Sequence, residues 1–167
     1  MNYAHPIRYG ALLLWSMSSA AQQHPTCAGP QLGTWILLSM ETQDLETNEK
    51  HNPLGVHPGG YLSYTSDCRM STILVKESRE GPAALVATDS ESIELYRGLI
   101  AYAGSYAIDG FKITQRIEAS WNQAWTATTQ VVRFNIDGNT LYMRTGPGKN
   151  PLTGRQSTTE FIWVRVE

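Results

Sequence analysis

A chain of 167 residues, 41% apolar and 17% charged, is long enough to bury one core, short for two, and too apolar for a disordered segment. A formal net charge of −2 and the absence of any basic run speak against a nucleic-acid partner, since phosphate binding needs a clustered basic excess.

At the N-terminus Arg8 precedes the apolar run ALLLWSM, and the small residues Ser18 to Ala21 follow it. This is the layout of a signal peptide, and it divides the chain into a leader, 1–21, and one domain, 22–167. A frayed N-terminal extension is the competing reading. Stable membrane insertion is not expected, because a spanning helix needs about 20 apolar residues. The localisation that follows is the secretory pathway or the exterior.

The first strand is predicted over Leu32 to Glu41, with Trp35, Leu37 and Ser39 on one face. Thr42 to Pro58, punctuated by Pro53, Gly55 and Pro58, reads as a long loop carrying His51 and His57. Gly59 to Val75 is a hairpin. With Ser66 and Asp67 in the turn and Cys68 in the left-handed position after it, Tyr64 faces Met70 and Leu62 faces Thr72, on one apolar side. Tyr61, Ser63, Arg69 and Ser71 take the other. Lys76 to Thr88 is charged and turn-rich; Thr88 to Glu91 then spells a capping box, which starts a helix bearing Ile93, Tyr96, Leu99 and Ile100.

Strands follow over Ala101 to Ala107, Lys112 to Glu118, Trp125 to Ile136, Asn139 to Arg144 and Ser157 to Glu167, with hairpin turns at Asp109-Gly110 and Asp137-Gly138. A Gly/Pro-rich loop, Thr145 to Gln156, precedes the last strand. Eight antiparallel strands in up-and-down order, with one helix between the third and fourth, suit a closed all-β barrel; a two-sheet sandwich is the rival arrangement.

This layout resembles the lipocalin superfamily, with Gly33-x-Trp35 matching its first-strand signature and Arg165 the arginine that covers that tryptophan. More specifically, HNPLGVHPGGYLSYTSDCRMS, IAYAGSY, QVVRFNIDGNTL and FIWVRV are similar to the lipocalin-like domain family of bacteria and fungi. His57 stands where that family usually has an acidic residue, Gln115 where it usually has a histidine, and Cys68 in place of the turn glycine.

The short turns and the strand-one start gather at one barrel end. The longer loops and the helix around Tyr96 form the other, where a ligand would enter. If alternation holds, the inward positions include Ser39, Leu62, Tyr64, Thr72, Tyr102, Gln115, Gln130, Met143 and Phe161. A mostly apolar wall with a few hydroxyl and amide groups describes a pocket that orients a lipophilic ligand by hydrogen bonds. The same residues also fit a filled core whose Ser39, Gln115 and Gln130 satisfy one another. Trp121 and Trp125 read either as lid residues or as ordinary packing. Two cysteines, a signal-like start and the closed-end placement of both predict a Cys27–Cys68 disulfide.

No metal set is expected, since only His51 and His57 lie close in sequence. No Gly-x-Ser-x-Gly elbow is present, and Gly146-Pro147-Gly148-Lys149 lacks the strand and helix of a phosphate cradle. The expected partner is therefore a small lipophilic molecule, with no cofactor; protein partners are not indicated. The resemblance extends to small fungal proteins of secondary-metabolite pathways, some of which are Diels-Alder-type cyclases. It implies a cofactor-independent pericyclic cyclase, for which the inward side chains of Gln115, Tyr102, Tyr64 and Gln130 would be the hydrogen-bond donors. Binding contacts would come from Ser39, Leu62, Thr72, Met143, Phe161, Trp121, Trp125 and Tyr96. A non-catalytic carrier is the alternative.

Overall fold

The computed structural model describes residues 27–150 and 153–166; the predicted leader lies outside them. The hairpin forms with the expected register. β3 (Gly59–Tyr64) and β4 (Arg69–Val75) pair Tyr64 with Met70 and Leu62 with Thr72. Cys68 takes φ 61°, and its carbonyl accepts from the Tyr106 backbone N–H at 2.9 Å, which ties the turn to the strand Leu99–Asp109.

Around this hairpin the chain winds in sequence order. β1 is Gly33–Asp44, β2 the two-residue Lys50–His51, β5 Leu99–Asp109, β6 Lys112–Ser120, β7 Thr129–Asp137, β8 Thr140–Thr145, β9 Gly148–Lys149 and β10 Gln156–Arg165. Antiparallel neighbours run β1-β3-β4-β5-β6-β7-β8-β10, and β10 returns to pair with β1, so eight strands close into a barrel. Closure leaves these strands no free edge. The two short strands were not foreseen. β2 folds back on Thr42 and Gln43, and β9 on Gln156 and Ser157, so each of the two long loops continues the sheet for a few residues.

The helix α1 (Asp89–Arg97) sits between the third and fourth barrel strands and starts at the capping box: Glu91 receives the Thr88 backbone N–H, and Thr88 accepts from that of Glu91. Its predicted apolar face is corrected. None of its residues is buried, and Leu99 and Ile100 belong to β5, where they pair with Val75 and Leu74.

Two irregularities aim side chains. Between Leu37 and Ser39 the β1–β10 register slips, Leu37 facing Trp163 and Ser39 facing Ile162, so Leu38 is an inserted bulge residue. Alternation restarts after it and puts Met40, not Ser39, inside. A second slip lies at Ala103/Gly104, where a Cβ on Gly104 would stand 1.9 Å from the Arg116 carbonyl oxygen; only glycine fits.

The end carrying the short turns is sealed. Trp35 is fully buried; its indole N–H donates to the Gln31 carbonyl at 2.9 Å, and the Arg165 guanidinium lies 4.0 Å from its ring centroid. Arg165 in turn donates to the carbonyls of Leu32, at 2.6 Å, and Pro30. A planar cation over an indole face suits both groups. Outside the barrel, Val164, Ile36, Tyr61 and Ile73 are successive cross-strand partners over β10, β1, β3 and β4, and all four are exposed. They form an uncharged row.

Cys27 and Cys68 are joined, with a Cα–Cα distance of 5.1 Å and 41 residues of sequence separation. The bond fits an oxidising compartment. It fastens the N-terminal segment to the β3–β4 turn, where the Cys27 backbone N–H also donates to the Ser66 carbonyl at 2.8 Å. On the chain-entropy account such a loop contributes roughly 4 kcal/mol. Cys27→Ser is therefore expected to lower unfolding free energy by about that amount in urea titrations. Cys68→Gly should cost about 1 kcal/mol less, because glycine relieves the left-handed backbone while losing the same tether.

Candidate functional site

The inward side chains of the barrel leave a cavity of about 90 Å³. One water needs about 10–15 Å³ of such space, so the interior is not filled. The strands supply an apolar wall from Met40, Leu62, Leu74, Ile100, Val132, Met143, Phe161 and Trp163. Thr145, Gly146, Gly148, Lys149 and Asn150 line its loop end, together with Trp125 from the 3-10 turn Gln123–Trp125.

The predicted residues separate by position. Leu62, Thr72, Tyr102, Gln115, Gln130, Met143 and Phe161 all line the cavity. Phe161 and Met143 are cross-strand partners, as are Gln115 and Gln130, and Thr72 and Tyr102. Ser39 does not: the bulge at Leu38 turns it to the opposite face. Tyr96 does not either, since it lies half-exposed on α1, and neither α1 nor the 42–58 loop contributes to the lining. Trp121 stands one layer back, its ring edge-on to Trp125 with centroids 5.3 Å apart. Trp125 in turn meets Tyr102 edge-on at 5.5 Å, so the aromatic pair braces a wall residue.

Tyr64 lies beneath the cavity. It is 1% exposed, its ring packs edge-on to Tyr106 with centroids 4.7 Å apart, and its hydroxyl accepts from the Gln115 amide at 2.6 Å. Burial, with the neighbouring phenols of Tyr102 and Tyr106 adding to it, raises the Tyr64 phenol well above the ordinary tyrosine value; the Gln115 bond opposes this only in part. Burial also raises the Tyr102 phenol. Both are neutral donors at physiological pH.

The expected mutual satisfaction of Ser39, Gln115 and Gln130 is absent. Gln115 is committed to Tyr64, Ser39 is elsewhere, and the Gln130 side chain has no hydrogen bond to another described residue. The Trp163 indole Nε1 is enclosed without a hydrogen bond among the described residues, and the Thr72 hydroxyl meets the Tyr102 phenol. Sequence reasoning gave Trp163 no role. It missed Met40 because a bulge at Leu38, between Leu37 and Ser39, leaves no mark in the alternation. It missed the hydroxyls of Ser157 and Thr159, at the loop end, where β9 covers the start of β10.

A closed eight-stranded antiparallel barrel, plugged at one end by a tryptophan–arginine stack and hollow toward the other, is an architecture compatible with holding a small ligand. Residues 32–166 match the lipocalin-like domain family, and the chain belongs to it. Among solved structures it is similar to a lipocalin-like protein from Bacteroides uniformis ATCC 8492, at 14% identity and a TM-score of 0.45, over 83% of this chain and 100% of that one. No curated protein matches. No helix among the described residues is long and apolar enough to cross a membrane.

Because Tyr64 holds its proton in the folded state and releases it near the ordinary value when unfolded, its contribution to stability is complete below about pH 10 and declines above it. Unfolding free energy measured from pH 9 to 11 should fall by about 1.4 kcal/mol per pH unit for each such phenol above about pH 10. Tyr64→Phe should make that slope shallower by one proton.

Proposed function

We propose that the barrel takes up a compact, uncharged, lipophilic molecule and, as a cofactor-independent cyclase, promotes its pericyclic ring closure. The observation that carries this reading is the unfilled cavity, whose largely apolar wall also carries the neutral polar side chains of Tyr102, Gln115 and Gln130. A wall of that kind binds by burial of apolar surface and orients by a few polar contacts. No acidic side chain lines it, and its one charged residue, Lys149, is exposed at the loop end.

Ring closure of a bound intermediate needs no metal, nucleophile or cofactor from the protein. It needs the reacting ends held near attack distance, which in well-oriented cases supplies up to about 7–11 kcal/mol. It gains further from a donor aimed at an oxygen where negative charge builds, in surroundings with little water to compete. Tyr102 and Gln130 are placed for that role, both on the wall and both neutral. Gln115 acts one step behind, since its amide is spent on Tyr64. The lipocalin-like domain supports binding; the catalytic step is this reading's own addition, and a carrier without chemistry is what remains if it fails.

Incubation with lipophilic polyene or quinone-methide intermediates, against a protein-free control, tests the chemistry. Tyr102→Phe and Gln130→Leu are each expected to slow conversion on the order of 10²-fold, the low end for removing one preorganised donor, with thermal unfolding nearly unchanged. Binding without any change in rate or product ratio would leave the carrier. Mass spectrometry of molecules extracted from the native protein should reveal an uncharged lipophilic species.

A further inference from the structure

β6 and β7 set two glutamines directly opposite each other, and only one of them is engaged. Gln115 and Gln130 are cross-strand partners. At such positions the Cβ atoms lie about 5 Å apart, near enough for two amides to pair with each other. They do not pair here. Gln115 donates through its nitrogen to the Tyr64 hydroxyl at 2.6 Å, in the buried layer beneath the cavity. Gln130, on the inward side of β7 with Val132 and Phe134, lines the cavity and has no side-chain hydrogen bond to another described residue. It is half-buried, and unlike the Trp163 nitrogen neither of its amide atoms is enclosed.

The chemistry of this group limits what can meet it. A primary amide presents an N–H donor and a carbonyl acceptor side by side in one plane. On a wall built largely from Leu62, Val132, Met143 and Phe161, an occupant that answers neither half leaves both desolvated and unpaired. A ketone answers the N–H alone. A carboxylate brings two acceptors and a charge to a wall whose one charged side chain, Lys149, is exposed at the loop end. A hydroxyl is a single atom and cannot meet both halves in line. A secondary amide locked cis in a ring has the matching order, its carbonyl beside its N–H in one plane, and closes two parallel bonds. Neighbouring polar groups do not compete for it: the Tyr102 phenol meets the Thr72 hydroxyl, and the Thr159 hydroxyl lies 3.0 Å from that of Thr42.

Resting on the reading of this cavity as a ligand site, we propose that Gln130 is its specificity-determining residue and that the ligand is a lactam, an apolar body carrying a cyclic cis-amide. The lactam carbonyl accepts from the Gln130 N–H, and the lactam N–H donates to the Gln130 carbonyl. The first bond coincides with the donor role of Gln130 in ring closure. The second separates lactams from lactones and ketones of equal shape, which set an oxygen or a C–H against the Gln130 carbonyl and leave it unpaired.

Carbostyril and coumarin test this as a matched pair, a lactam and a lactone of one shape in which a ring N–H is exchanged for a ring oxygen. Binding of each is measured by calorimetry to the wild-type protein and to Gln130→Leu, which keeps an inward side chain and removes the amide. The preference for carbostyril over coumarin should be about five- to tenfold greater in the wild type than in the variant, the value of one hydrogen bond. Comparing the two proteins cancels the unequal hydration of the two probes. A second measurement does not depend on the variant folding. In ¹³C,¹⁵N-labelled wild-type protein, carbostyril should move both the side-chain N–H and the side-chain carbonyl carbon of Gln130 to lower field, and coumarin the N–H alone. The Gln115 side-chain N–H, held on Tyr64, should stay in place. An equal preference in both proteins, or a Gln130 carbonyl carbon unmoved by bound carbostyril, overturns the proposal while leaving the cavity a ligand site. Failure of both probes to bind the wild-type protein overturns the ligand-site reading itself, and this proposal with it.

Discussion

Everything in this barrel depends on the seam between its first and last strands. There Trp35 is enclosed by Arg165 above its ring and by the Gln31 carbonyl at its N–H, while Arg165 binds the carbonyls of Leu32 and Pro30. One residue from β10 thereby holds the segment that leads into β1, and the β1–β10 pairing that begins at Trp35 and Arg165 runs on to Asp44 and Ser157. The guanidinium suits this place because it is planar and offers several donors from one rigid group. A lysine could supply the charge but not the stacked plane and the two carbonyl contacts together.

Sealing one end decides what the other can do. With Trp35, Tyr64 and Tyr106 filling the interior near the short turns, the unfilled space is displaced toward Thr145–Asn150 and Trp125. The polar groups divide in the same way. Tyr106 donates to the Thr65 carbonyl and Gln115 to Tyr64, so the lower polar atoms are mutually satisfied and rigid. Higher up, the Trp163 indole nitrogen is enclosed without an acceptor, and no side-chain bond of this kind holds Gln130. This gradient, from satisfied to unsatisfied along one axis, separates a structural plug from a receptive wall more sharply than apolarity does. Both halves are greasy.

Much of this was legible in the chain because alternation and turn chemistry act locally. Leu62, Thr72, Tyr102, Gln115, Gln130, Met143 and Phe161 reach the cavity because each lies on a strand whose parity a nearby turn fixes, at Ser66-Asp67, Asp109-Gly110 or Asp137-Gly138, or follows from pairing with such a strand. The Cys27–Cys68 tether was legible from two cysteines and one turn. Ser39 was misplaced because a bulge at Leu38 depends on the partner strand, which sequence order puts more than a hundred residues away. Tyr96 was misplaced for a different reason. A capping box and apolar spacing define a helix but not what it covers, and α1 rests outside the barrel with its apolar residues half exposed. Which donors stay unpaired could not be read at all, because that is a property of the assembled wall.

The uncharged outer row of Ile36, Tyr61, Ile73 and Val164 bears on how the molecule comes to exist. Three of its four members lie in the first half of the chain and the fourth on the last strand. Until β10 is available, the β1 edge it will occupy is an open ladder of backbone donors and acceptors beside a strip without charges to repel a neighbour. Such an edge can pair with another copy as readily as with its own terminus. The risk in this design is thus one of timing: crowded, slow-closing chains face a competition between closing on themselves and joining one another. The ten residues of β10, which also bring Ser157, Thr159, Phe161 and Trp163 to the cavity lining, decide the winner.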